Sequence, residues 1–209
     1  MMEFQNDLEV LCKFAKDLGA TNAKPFNAKD VVIDQRVKMK CQVPPCKDYG
    51  KNLMCPPYVM NINEFRDVLS KYEWALLIQV EAPFNTEVKN EISQTGDVGS
   101  LYKNKEFLMA FGQNFGSNFN LLHLIINKVE AKASMLGYRF ATGFKAGACK
   151  LCPECVAENS GKHCRHPYQA RPSMEAVGID VLKTAEIAGL PVDFPPKDKA
   201  VWNGLVLIN

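Results

Sequence analysis

Four cysteines in the second half of the chain are spaced so that one inorganic centre could bind all of them. Cys149, Cys152 and Cys155 are separated from one another by two residues, and Cys164 follows after eight more. A short backbone segment with this spacing can curl around a compact object and present sulfur from several directions. A 4Fe-4S cluster needs such an arrangement, because each of its four iron corners takes one thiolate. The spacing therefore favours these four thiols as cluster ligands.

Zinc is the main alternative for these four thiols. Structural zinc sites also take four thiolates, but usually from two separated Cys-x-x-Cys pairs. In this chain the pairs overlap into a single Cys-x-x-Cys-x-x-Cys run, which is closer to the spacing found in ferredoxins. The run departs from that spacing at the fourth cysteine, which in ferredoxins follows three residues later and precedes a proline. Disulfides or free thiols are the third alternative.

A second group of three cysteines lies upstream, in a segment whose prolines exclude regular structure. Cys41, Cys46 and Cys55 belong to a loop over 41–58 that also contains four prolines and Gly50. Because proline fixes its own φ and lacks an N–H donor, the loop is expected to hold the three thiols as metal ligands on a stiff backbone. A cluster bound by only three thiolates leaves one iron open to a substrate, where it acts as a Lewis acid.

Several interpretations of the upstream group stay open. The three thiols suit a second cluster, a zinc ion, one larger site shared with the downstream cysteines, or a packed loop without metal. Cys12 lies on the apolar stripe of a predicted helix over 6–18, where a small buried hydrophobic residue is expected. Its alternative role is that of a missing fourth ligand for the upstream group. The pattern assigns no catalytic residue.

Length and composition define the broad class of protein. A chain of 209 residues, of which 47% are hydrophobic, suits one domain over 1–209. A formal net charge of +2, with basic residues scattered among acids, excludes a nucleic-acid partner. No apolar run approaches the ~18 residues of a membrane span. The acidic N-terminus lacks a signal core, so we expect a cytoplasmic protein, in which eight cysteines indicate metal or redox chemistry.

The elements expected to position the cysteine loops alternate irregularly along the chain. Helical spacing of apolar residues predicts helices over 6–18, 63–72, 101–111, 118–136 and 173–189. Alternating or continuous apolar runs predict strands over 31–41, 74–80, 138–144 and 201–208. The sequence therefore predicts a single α+β domain, in which helices pack on a mixed sheet and the cysteine loops 41–58 and 143–172 lie at strand ends.

Several short motifs around the cysteines carry a family resemblance that spans nearly the whole chain. They are Cys41 through Cys46, Tyr49-Gly50, Cys55-Pro-Pro-Tyr58, Gly147 through Cys155, Cys164-Arg-His-Pro167, Arg171-Pro-Ser-Met-Glu-Ala176 and Gly178-Ile-Asp-Val181. With these motifs the chain resembles an uncharacterised family of cysteine-rich predicted metal-binding proteins, mostly from anaerobic bacteria and archaea. The resemblance implies metal binding, at an iron–sulfur cluster, by the seven cysteines in these motifs. It implies no particular reaction.

Three classes of function are consistent with these residues. The first is a redox protein with one or two 4Fe-4S clusters that passes electrons to a redox partner protein. The second is an enzyme, an iron–sulfur oxidoreductase whose three-cysteine cluster binds and reduces or activates a small substrate. The third is a protein in which zinc only holds the loops together. The sequence predicts neither a substrate nor an oligomeric state.

Overall fold

The computed structural model describes residues 2–84, 86, 89–90, 105–156, 160–194, 196 and 198–209, with backbone only for residues 2–5 and 105–116. Part of the helix predicted over 101–111 therefore lies outside the described residues. No helix in the described ranges is long and apolar enough to cross a membrane.

A four-stranded sheet forms the centre of the fold. Its strands are β1 (Asn22–Asn27), β2 (Trp74–Pro83), β3 (Thr142–Phe144) and β4 (Lys199–Ile208), in the spatial order β1-β2-β4-β3. Every pairing of these strands is antiparallel, whereas the sequence predicted a mixed sheet. β2 and β4 are paired over their full lengths at the middle of the sheet, which explains why both are almost continuously apolar. β3 is shorter than the strand predicted over 138–144.

The described helices cover both faces of the sheet, which confirms the α+β class. They are α1 (Met2–Asp17), α2 (Gln35–Gln42), α3 (Ile62–Leu69), α4 (Lys105–Met135) and α5 (Val181–Ile187). Side chains alternate between the two faces along a strand, so β2 supplies Leu76 and Ile78 to the core beneath α1 and α4. It supplies Ala75 and Leu77 to a second core, beneath α3 and α5. The sheet is thus buried on both sides.

The prediction of a strand over 31–41 is wrong, because most of this segment forms helix α2. The carboxylate of Asp34 accepts a hydrogen bond of 2.8 Å from the backbone N–H of Arg36 and caps the helix. A local cap of this kind, followed by residues with good helix propensity, outweighs a short alternation of apolar residues. Cys41 therefore lies in the last turn of α2, and the upstream cysteine loop follows a helix rather than a strand.

Two other helix starts show how capping residues set the boundaries. α3 begins at a capping box made by Asn61 and Glu64, not at Asn63 as the sequence predicted. The helix predicted over 173–189 is broken at Gly178, whose φ is +90°, and Asp180 caps α5 after the break. The short 3-10 helix Glu175–Val177 precedes the break.

Candidate metal centre

The downstream cysteine segment leaves the sheet after β3 and returns to it as a closed loop. The backbone N–H of Lys145 donates to the carbonyl of Pro172 at 3.0 Å, and the N–H of Met174 donates to the carbonyl of Lys145 at 3.0 Å. These bonds join the two ends of the segment that carries the four downstream cysteines. A loop with fixed ends can position side chains more accurately than an open chain.

All four downstream thiols line one cavity. Cys149, Cys152, Cys155 and Cys164 surround it together with Asn52, Leu53, Met54, Leu151, His166 and Ala170. All eight cysteines of the chain lie within the described residues, and all carry free thiols. The structure therefore brings the sequence-predicted cluster ligands to one place.

One of these sulfurs accepts a hydrogen bond from the backbone, because the N–H of His166 donates to the sulfur of Cys164 at 3.4 Å. Burial raises the pKa of the Cys149 thiol, and the nearby backbone N–H of Leu151 opposes this increase. Donors of this kind stabilise negative charge on sulfur and tune the potentials of iron–sulfur sites. His166 contributes here through its backbone, while the side chain of His163 is exposed.

Glu130 of α4 forms hydrogen bonds with residues at both ends of the downstream segment. Its carboxylate accepts hydrogen bonds from the N–H of Gly143 at 2.6 Å and from Nε of Arg171 at 2.7 Å. The Nη2 atom of Arg171 donates to the second carboxylate oxygen. Both side chains are mostly buried, with 15% and 16% exposure. No local sequence signal marks Glu130 for this role, because it depends on contacts with residues distant in the chain.

The three upstream thiols share one neighbourhood but differ in burial. Cys55 is buried, Cys41 is partly buried and Cys46 is exposed. Burial raises the pKa of Cys55 to about 12, and the charges of Asp48, Cys46 and Cys41 add to the increase. Burial also raises the pKa of Cys41, with a further contribution from Cys46. These mutual effects indicate that the thiols lie close enough to influence one another's charge.

The upstream and downstream loops are packed against each other. The side-chain amide of Asn52 donates a hydrogen bond of 3.0 Å to the carbonyl of Cys149. The ammonium of Lys150 lies 3.3 Å from a carboxylate oxygen of Asp48. An open cleft of about 460 Å³ lies where the loops meet, and Cys149, Cys152 and Cys155 line it as well as the cavity. The two groups of cysteines therefore belong to one region of the molecule.

A buried lysine lies between the two groups. Lys145 is 0% exposed, and its Nζ donates to the carbonyls of Ala146, Gly147 and Ala148 at 2.7, 3.1 and 2.9 Å. Desolvation lowers its pKa to about 8, against the opposing effects of negative charge at Cys149, Glu175 and Cys55. The sequence shows a lysine near the cysteines, but only the fold shows that it is buried.

The environment of Cys12 differs from that of the other seven cysteines. It packs on the core between α1 and α4, and burial raises its pKa to about 11. The charges that act on it come from Lys16 and Glu9, both on its own helix. This environment supports its interpretation as a packing residue.

The donor set of the cavity fits a group that takes four thiolates, such as an iron–sulfur cluster or zinc. The free space in the cavity is about 20 Å³, enough for one water molecule, so a cluster requires the loop to open around it. Among the described residues, no three His, Cys, Asp or Glu side chains are gathered closely enough to hold a single metal ion.

The fold and these residues define an α+β protein with a cysteine-rich candidate metal centre. The chain belongs to the DUF2284 family of predicted metal-binding proteins, whose model matches residues 24–208. Seven of the eight cysteines lie inside the matched range, and Cys12 lies outside it. Comparisons with curated proteins and with solved structures found no match.

Proposed function

We propose that Cys149, Cys152, Cys155 and Cys164 bind one 4Fe-4S cluster, and that the protein uses it in electron transfer. The observation that carries this proposal is the shared cavity of the four thiols. A bound cluster would supply a carrier that accepts and releases one electron at a time. The residues of the chain would hold it, limit its contact with water and set its potential.

One feature favours a cluster over zinc at this site, and two further features suit any anionic group held by four thiolates. The cysteine pairs overlap in sequence, which is uncommon for structural zinc. A backbone N–H already donates to the sulfur of Cys164. The buried ammonium of Lys145 supplies positive charge next to the site, and a cluster with four thiolates is an anion that such a charge stabilises.

An enzymatic role is the second candidate, and the open cleft between the two loops favours it. Cys149, Cys152 and Cys155 separate this cleft from the cavity, so a small molecule in the cleft would lie next to the cluster ligands. The upstream thiols of Cys41, Cys46 and Cys55 would bind a second metal group, on which three thiolates leave one position open. Substrate binding at such a position is Lewis-acid chemistry.

The electron-transfer role requires a redox partner protein and a compartment in which thiols stay reduced. We propose the cytoplasm for this reason. The test is purification without oxygen, followed by visible absorption and electron paramagnetic resonance. A brown protein that dithionite bleaches supports a cluster, whereas a colourless protein with stoichiometric zinc contradicts it. A resonance spectrum that changes when small candidate substrates are added favours the enzyme over the electron carrier.

A further inference from the structure

The proposed function uses the positive charge of Lys145 but does not account for its complete burial. An ammonium removed from water costs a large free energy unless other groups replace its hydration. Here three carbonyl oxygens replace it, and the ring of Phe119 lies 3.8 Å below Nζ. A lysine with three acceptors and an aromatic face is held in one position. The fold thus maintains a fixed positive charge beside the cysteine loops.

The carbonyls that bind this ammonium also fix the direction of the neighbouring amides. In a planar trans peptide the C=O and the N–H point in opposite directions. Three carbonyls directed at Nζ therefore turn the N–H groups of Gly147, Ala148 and Cys149 away from it. Gly147 has a φ of +55°, and successive N–H groups around such a left-handed residue form an anion-binding concavity. The ammonium thus shapes the backbone that leads into the first downstream cysteine.

The same charge acts on both groups of cysteines. Lys145 interacts electrostatically with Cys149 of the downstream loop and with Cys55 of the upstream loop. Because Lys145 is buried, salt screens its interactions much less than it screens those of surface charges. Lys150, by comparison, is exposed and pairs with Asp48.

We propose that Lys145 is the positioning residue of the metal centre. Its ammonium holds the 146–148 backbone in the shape that presents Cys149, and it stabilises negative charge at both cysteine groups. The second half of this proposal rests on the proposed function, because it concerns the charge of a bound metal group. The first half concerns the loop alone and holds for any metal.

Hydrogen exchange tests the shaping role in the full-length protein as purified, whatever metal it carries. In K145M the three carbonyls lose their donor and the loop loses this support, so we expect the hydrogen-bonded amides at positions 145 and 174, which close the loop, to exchange at least tenfold faster. The amides of β2 and β4 provide the internal reference and should not change. K150M is the matched control, because it removes an exposed lysine from the same loop and should leave exchange at positions 145 and 174 unchanged. Equal exchange in K145M and the wild type would overturn the proposal.

A second variant distinguishes the effect of the Lys145 charge from its effect on the conformation of the loop. K145Q keeps an amide donor but removes the charge, and it serves as the test if K145M does not fold. We expect the reduction potential of the bound cluster to become more negative in K145Q than in K150Q, by about 59 mV for a tenfold loss in the one-electron equilibrium. Equal potentials in the two variants would overturn the charge role. If the purified protein contains zinc, the cluster proposal fails while the exchange experiment still decides the shaping role.

Discussion

The side-chain amide of Asn52 donates a hydrogen bond to the backbone carbonyl of Cys149, 97 positions further along the chain. Its Oδ1 accepts a hydrogen bond of 3.0 Å from the N–H of Met54, and the side chain is only 5% exposed. One buried amide thus connects the upstream loop to the downstream loop. If both loops bind metal, this connection sets the geometry between the two sites.

Replacing Asn52 with alanine should therefore weaken the packing of the two loops. The variant leaves the carbonyl of Cys149 and the N–H of Met54 without their buried partner, which costs about 1–3 kcal/mol. Urea unfolding followed by circular dichroism measures this loss. Asn63 is exposed and serves as the control, since N63A should change the free energy of unfolding by less than about 0.5 kcal/mol. Equal stability of N52A and N63A would show that the contact is unimportant.

The carboxylate of Glu130 should be essential for the closed downstream segment. E130A removes the partner of the mostly buried Arg171 and of the Gly143 N–H, and we expect a loss of about 3 kcal/mol. K128A on the same helix is exposed and provides the control. A double-mutant cycle with R171A should give a coupling energy of about 0.5–3 kcal/mol. Additive effects of the two substitutions would contradict the structural role of the pair.

Cys12 should affect stability in a pH-dependent way without affecting metal content. Its pKa in the folded protein is about 11, above the ordinary value of 9.0. Above pH 9 the unfolded chain releases this proton while the folded protein keeps it, so the contribution of Cys12 to stability declines as pH rises from 9 to 11. C12A lacks this contribution and should lose less stability over that range. Urea unfolding at pH 8 and pH 10.5 measures the difference, and identical pH dependence of the two proteins would contradict the prediction.

The fold could be predicted from the sequence where the local pattern of apolar and capping residues agrees with which residues the fold buries. β2 and β4 are almost continuously apolar because both of their faces are covered, and α5 begins at Val181 because the side chain of Asp180 caps it. The segment that became α2 was mispredicted, since four apolar residues in alternation were outweighed by the cap at Asp34. α4 runs without interruption from Lys105 to Met135, although the sequence predicted two separate helices over 101–111 and 118–136.

The candidate site was predictable only in part. The spacing of the downstream cysteines predicted the group that lines the cavity, because ligands close in sequence are also close in space. The supporting residues Asn52 and Glu130 act across 97 and 41 positions of the chain, and no periodic pattern encodes such contacts. Lys145 was visible as a nearby charge, but its burial depends on the packing of α4 against the loop.

The measurement that tests the central claim most directly is the iron and acid-labile sulfide content of protein purified without oxygen. We expect about four iron and four sulfide per chain for one cluster, or about twice that for two. C152S should lose iron and stability together, because metal binding and folding of the loop are coupled, while C12A should retain its iron. One zinc per chain without sulfide, or unchanged iron and melting temperature in C152S, would contradict the assignment of these thiols to a cluster.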